Sequence, residues 1–212
     1  MSDSPITLYT HKFRSRAERV IWTLEELELD YGLIRLDAAK GDLQAAEFVR
    51  LNPAGKIPVL VHGDKVLTES LPIAEYLCAL RPDARLLPET LDENYDFRRI
   101  IHFTLSEVEA YLWIADQSSR LRHSYPWPEG TYAQAINLVK KSIPVLFTEV
   151  DNKSFAACGR FTIADIYLWH IFVWAAGCGI ALPDNVARYG ERLAQRSSMP
   201  DALRPSSESG LP

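Results

Sequence analysis

Asn52-Pro53-Ala54-Gly55-Lys56-Ile57-Pro58-Val59-Leu60, with Thr68-Glu69-Ser70 a few residues on, decides how this chain is read. A turn with two polar residues and a glycine runs into a lone proline, and an apolar strand follows at once. Proline has no N–H to give to a sheet and is tolerated only at a strand start or edge, so Pro58 is expected to head the strand. An X-Pro bond at such an entry is the favoured place for a cis peptide, which turns the preceding backbone outward. Ile57 then offers its N–H and C=O to an extended peptide, as in strand addition. Glu69-Ser70 falls where the next strand gives way to a helix, a place suited to a carboxylate. Together the two features describe a clamp for a small peptide.

Working outward, residues 5–80 alternate between the periods of strand and helix. Ile6 to Tyr9 reads as a strand, and Ser15 to Leu29 as a helix with Ala17, Val20, Ile21, Leu24 and Leu27 on one face. Tyr31 to Leu36 is a second strand, and Asp42 to Leu51 a short helix capped by Asp42. Ile57 to Val61 and Lys65 to Thr68 form a hairpin around His62-Gly63-Asp64, and Ser70 to Leu80 closes the unit as a helix. This βαβαββα order is that of an α+β thioredoxin-like domain, a four-stranded mixed sheet with helices on both faces.

Two prolines, Pro82 and Pro88, then break the pattern, and strand signals cease. Ile101, Leu105, Val108, Leu112 and Ala115 predict one long helix from Glu93 to Leu121, and a second runs from Thr131 to Asp151. Thr162-Ile163-Ala164-Asp165 is a capping box, with Phe161 and Ile166 as its hydrophobic staple, and it opens a central buried helix. The expected organisation is therefore a thioredoxin-like domain over 1–81, a linker over 82–92, an all-helical domain over 93–204 and a disordered tail over 205–212.

Composition excludes several classes. The 212 residues are 47% hydrophobic and 24% charged, ordinary values for a globular chain with room for a real core. A net charge of −5 leaves no basic footprint for nucleic acid. Asp165, His170 and two glycines interrupt the apolar run Ile163 to Leu182, which reads as a buried helix and not a membrane span. The N-terminus lacks a basic-then-apolar leader, so a cytoplasmic protein is expected. Cys78, Cys158 and Cys178, an odd set without CxxC, read as free thiols packed as small core residues. The histidines do not cluster as metal ligands, and His170 reads as a core residue.

NPAGKIPVL followed by TESLPIAEYL resembles the glutathione-binding half of the cytosolic glutathione transferases. LYTHKFRSRAERVIWTLEELELDY and RFTIADIYLW from Arg160 agree, in order and spacing, from Ile6 to Pro200. The likeness is to bacterial-like, serine-type members. It implies an N-domain that binds glutathione as co-substrate and a helical C-domain with an apolar pocket, lying between the domains, for a small hydrophobic electrophile. It also implies a homodimer, with no metal, no nucleic acid and no membrane. By the same resemblance Ser70 takes the γ-glutamyl carboxylate, Glu69 its ammonium group, and Ile57, ahead of Pro58, the cysteinyl backbone. Lys56 and Lys40 are placed to reach the glycyl carboxylate.

Ser15 matches the hydroxyl donor that stabilises the glutathione thiolate in serine-type members. It is equally well explained as an N-cap, with Glu18 completing a capping box. Tyr9 is the runner-up, since tyrosine-type members place their donor at the end of the first strand. Arg14 and Arg16 add positive potential beside Ser15, or stand as solvated surface charges. Tyr111, Trp113, Ile114 and Trp127 are candidates for the apolar pocket and equally for core. Conjugation, glutathione-dependent isomerisation, dehalogenation, and non-catalytic binding or regulation on the same fold all remain open.

Overall fold

Alternation builds the first strand. In β1 (Ile6–His11), Ile6, Leu8 and Thr10 are buried while Thr7, Tyr9 and His11 are half-exposed, the period of two of a strand between layers. The computed structural model describes residues 4–11, 15–120 and 126–204. β1 runs parallel to β2 (Tyr31–Leu36) and antiparallel to β3 (Val59–His62), which pairs antiparallel with β4 (Lys65–Thr68). The order is β2-β1-β3-β4, the expected four-stranded mixed sheet. The Ile57–Pro58 peptide is cis. Pro58 stands just ahead of β3, and the first residue able to donate into the ladder, Val59, starts it.

The chain divides into two compact units, one of Met1–Leu87 with Ser198–Leu203 and the other of Pro88–Ser197 with Arg204. In the first, α1 (Ala17–Glu26) and α3 (Ser70–Leu80) pack against each other. Phe48 of α2 (Ala46–Leu51) meets the Tyr9 ring at 5.9 Å, on the face of β1 opposite Leu8. Ala17, Val20, Leu24 and Leu27 are buried as expected, but Ile21 is half-exposed. Trp22 and Thr23 are fully buried in its place. Ser198 explains part of that shift: its hydroxyl accepts from Trp22 Nε1 at 3.4 Å and donates to the Glu26 carboxylate. The expected helix from Asp42 is split. Asp42–Gln44 forms a 3-10 turn, and the Asp42 carboxylate accepts from the Asp37 N–H at 2.7 Å instead of capping α2.

The second unit is helical: α4 (Leu91–Phe103), α5 (Ala110–Arg120), α6 (Thr131–Glu149), α7 (Ile163–Gly177) and α8 (Asp184–Ala194). The single helix expected from Glu93 to Leu121 is corrected at two places. It starts earlier, because Thr90 Oγ1 accepts from the Glu93 N–H at 3.2 Å. It is also broken by a π-helical turn at Thr104–Glu109, where the Thr104 hydroxyl donates to the Ile100 carbonyl at 2.7 Å. The wide turn rotates the inward face, so Thr104, Val108 and Glu109 are buried and Leu105 is half-exposed. α7 is buried along most of its length and opens with the expected capping box. Asp165 accepts from the Thr162 N–H (2.8 Å), the Ala156 N–H (2.8 Å) and the Tyr189 hydroxyl (2.6 Å). Arg160, just ahead of the box, makes a bidentate pair with Glu93 at 2.7 and 3.0 Å. Among the described residues, no helix is long and apolar enough to cross a membrane. The tail over 205–212 lies outside the described residues.

Candidate functional site

Register puts the candidate groups at one end of the sheet. Tyr9 pairs with Val59, Val59 with Thr68, and His11 with Leu36. The ends of β1, β2 and β4 and the start of β3 therefore share one edge. Ser15 follows β1, Lys40 follows β2, Ile57 and Pro58 precede β3, and Glu69 and Ser70 follow β4. The hairpin turn Gly63-Asp64 lies at the far end.

Ser15 sits one residue ahead of the helix cap. Arg16 already has helical φ/ψ of −58° and −16°, and it caps α1 without a side-chain bond. The expected capping box from Ser15 to Glu18 is replaced by a tighter turn. Ser15 Oγ accepts from the Ala17 N–H at 3.3 Å, and its carbonyl accepts from the Glu18 N–H at 3.0 Å. A hydroxyl that accepts one bond still has its own proton to donate. Among the described residues, no hydrogen bond takes that proton. Arg16 is half-exposed beside it, and Arg14 lies outside the described residues.

Ile57 is half-buried and makes no backbone hydrogen bond among the described residues. Its N–H and C=O stand at the strand entry without sheet partners. The loop before it is tightly specified. Asn52 Nδ2 donates to the Lys56 carbonyl at 2.7 Å, and Asn52 Oδ1 accepts from the Ala54 N–H at 3.1 Å. Gly55 has φ +60°, and a Cβ there would stand 3.1 Å from the Leu43 carbonyl oxygen.

Glu69, not Ser70, caps α3, and Ser70 is the first helical residue. The Glu69 carbonyl accepts the first intrahelical bond, from Ile73 at 3.0 Å. Glu69 has φ 67° and ψ 123°, a conformation sparsely populated by any residue with a Cβ. Its side chain is exposed, while Ser70 is buried at the helix mouth. Pro72 has no N–H to give in the first turn, and Ser70 opens the positive end of α3.

The remaining candidates are less committed. Lys40 ends an exposed 3-10 turn, and Lys56 is also exposed. Tyr9 lies inside β1, half-exposed, with its ring against Phe48. In the second unit Trp113 and Trp127 meet edge to face at 6.4 Å, Ile114 packs on Ala115, Ala135 and Ile136, and Tyr111 is half-buried. His170 is buried against Trp174 at 5.9 Å.

The cysteines are free. Burial pushes the Cys78 thiol up to about 12 and the Cys158 thiol up to about 11, so neither is an activated nucleophile. Among the described residues, no group of His, Cys, Asp and Glu could hold a metal ion. Sequence reasoning missed two features of the site: the Glu69 backbone, for which no sequence signal exists, and the Asn52 bridge. An Asn opening a Pro-Ala-Gly turn was a usable signal for the bridge.

The family described as "Glutathione S-transferase, N-terminal domain" matches residues 4–79. Glutathione S-transferase Z2 of Arabidopsis thaliana is 39% identical over 175 residues, 79% of this chain and 73% of that one. A protein named probable maleylacetoacetate isomerase, from Vibrio cholerae, is 37% identical over 82 residues, 39% of this chain and 38% of the other. Among solved structures, the glutathione transferase URE2P6 of Phanerochaete chrysosporium, in complex with oxidized glutathione, superposes with a TM-score of 0.78. It is 27% identical, with 93% of this chain and 94% of that one covered.

Proposed function

The chain belongs to the glutathione S-transferase family, and from that premise we propose that it binds glutathione at the shared edge of the sheet, ionises its thiol and joins the glutathione through its sulfur to a small hydrophobic electrophile. The observation that carries this is the open backbone of Ile57 on the same register line as the Glu69–Ser70 helix start. The Ile57 N–H and C=O pair with the cysteinyl residue, as an added strand would. The Ser70 hydroxyl and N–H take the γ-glutamyl carboxylate at the positive end of α3, and Glu69 takes the ammonium. Lys56 and Lys40 attract the glycyl carboxylate.

Ser15 is the thiolate donor in this reading, because its proton has no acceptor among the described residues. A free thiol ionises near 8.5, and lowering that by two pH units requires about 2.7 kcal/mol of preferential thiolate stabilisation. One hydroxyl donor and a nearby helix start supply energies of that order. The thiol proton passes to water. The thiolate then attacks an electrophilic carbon, the C–S bond forms, and the leaving group departs with its electron pair. Residues 1–81 bind glutathione, and 93–204 supply the apolar electrophile pocket. A cytoplasmic homodimer completes the proposal.

A second reading draws on the Vibrio cholerae relative, whose name is that of an isomerase. There the same thiolate adds to an unsaturated acid and is expelled again, so glutathione is required but not consumed. Stoichiometry separates the two: conjugation depletes glutathione mole for mole and isomerisation leaves it constant.

The deciding experiment is thiolate absorbance of bound glutathione against pH, in wild type and Ser15→Ala. The expected wild-type curve has its midpoint well below 8.5, and Ser15→Ala moves it back up with turnover reduced on the order of a hundredfold. Equal midpoints and equal turnover would remove Ser15 from the mechanism. No bound thiolate in the wild type would replace transfer with a binding or regulatory role.

A further inference from the structure

Resting on the glutathione reading, we infer that Asn52 is a positioning residue for ligand binding, because it shapes residues 53–56 so that Ile57 presents its open backbone. Asn52 is 7% exposed and bonded at every polar group. Its N–H donates to the Phe48 carbonyl at 2.9 Å, which ties it to the end of α2. Its own carbonyl accepts from the Gly55 N–H at 2.9 Å. Its amide oxygen accepts from the Ala54 N–H at 3.1 Å, and its amide nitrogen donates to the Lys56 carbonyl at 2.7 Å.

That last bond is the informative one. The Lys56 carbonyl belongs to the peptide unit that also contains the Ile57 N–H, one of the two groups assigned to the ligand's cysteinyl backbone. Fixing the carbonyl fixes the plane of the peptide, and so the direction of the N–H on its other side. Gly55, at φ +60°, turns the middle of the loop where a Cβ would crowd the Leu43 carbonyl, so the backbone there is confined to a glycine conformation. The chemistry selects asparagine. Aspartate has the acceptor for Ala54 but lacks the donor for Lys56, and serine can accept from Ala54 but is too short to reach Lys56.

The test compares Asn52→Asp and Asn52→Ser with wild type, each checked for folding by circular dichroism, with Ser70→Ala in parallel. Glutathione affinity is measured by calorimetry, KM and kcat by turnover, and the bound thiol midpoint by absorbance. Both Asn52 variants are expected to weaken glutathione binding and raise its KM about tenfold, the scale of one buried hydrogen bond. The thiol midpoint at saturation stays at the wild-type value, because Ser15 is untouched. A lower melting temperature with unchanged affinity in either variant assigns Asn52 to structure alone and overturns the inference. If Ser70→Ala weakens binding while both Asn52 variants bind as wild type, the inference fails and the glutathione reading stands. If wild type binds no glutathione, both fall together.

Discussion

Glu69 stands at φ 67° with a Cβ, where the backbone is disfavoured by about 1–3 kcal/mol. Its neighbours hold it there: β4 ends at Thr68 and α3 begins at Ser70, leaving one residue to turn the chain. Glu69→Gly relieves that conformation but adds about 0.5–1 kcal/mol of freedom to the unfolded chain. The net expectation is a melting temperature equal to or a few degrees above wild type, with glutathione affinity reduced at least tenfold because the carboxylate is gone. Calorimetric melting and titration read the two effects separately, and a clear loss of stability would show that the conformation stores no strain. At this scale the sequence was uneven. The motif spacing pointed to Ile57, Glu69 and Ser70, yet the direction of the Ser15 hydroxyl and the Glu69 backbone depend on neighbours that no local pattern specifies.

Among the elements, α7 shows how a cap can be both anchor and liability. Asp165 is fully buried, and burial pushes its carboxyl up to about 6 although Tyr189, Ala156 and Thr162 all donate to it. The folded state thus holds the proton more tightly than the unfolded chain, whose carboxyl titrates near 3.9. Stability from this group is full below about pH 4 and is lost as pH rises through about 6. Asp165→Asn does not titrate and turns an amide N–H toward the Thr162 donor, so it is destabilising at both pH values, on the order of 1–3 kcal/mol at pH 7. The gap between wild type and variant should be wider at pH 4 than at pH 7 in urea melts. A gap that widens toward pH 7 would mean that the hydrogen bonds outweigh burial.

The box itself was legible because Thr-x-x-Asp is a local signature. α8 was equally legible in Val186, Tyr189 and Leu193 at helical spacing, but it was not read. The π-helical turn was hidden for a physical reason. Apolar periodicity through Leu105 fits a regular helix, and only the Thr104 hydroxyl on the Ile100 carbonyl, with the burial of Glu109, reveals the extra residue in the turn.

At the level of the whole molecule, chain order and packing part company at the C-terminus. Ser198–Leu203 belongs to the unit built by the first 87 residues, and Met199 and Leu203 of that segment are buried. Leu203→Ala is expected to destabilise that unit by about 2–5 kcal/mol, the range for a buried Leu truncation. Hydrogen exchange should show the loss in α1, where Trp22 and Glu26 hold Ser198. Undiminished protection in α1 would mean that the returning segment merely lies on the surface. This return was invisible in the sequence, because a short stretch after the last helix carries no periodic signal of where it docks.

The two-residue turn Gly63-Asp64 lies at the opposite end of the strands from every group assigned to glutathione. The unit therefore has a natural handle. A tether or reporter attached at exposed Asp64 would leave the recognition edge untouched. By the same separation, descendants of this chain can diversify what that edge recognises while inheriting the strands beneath it unchanged.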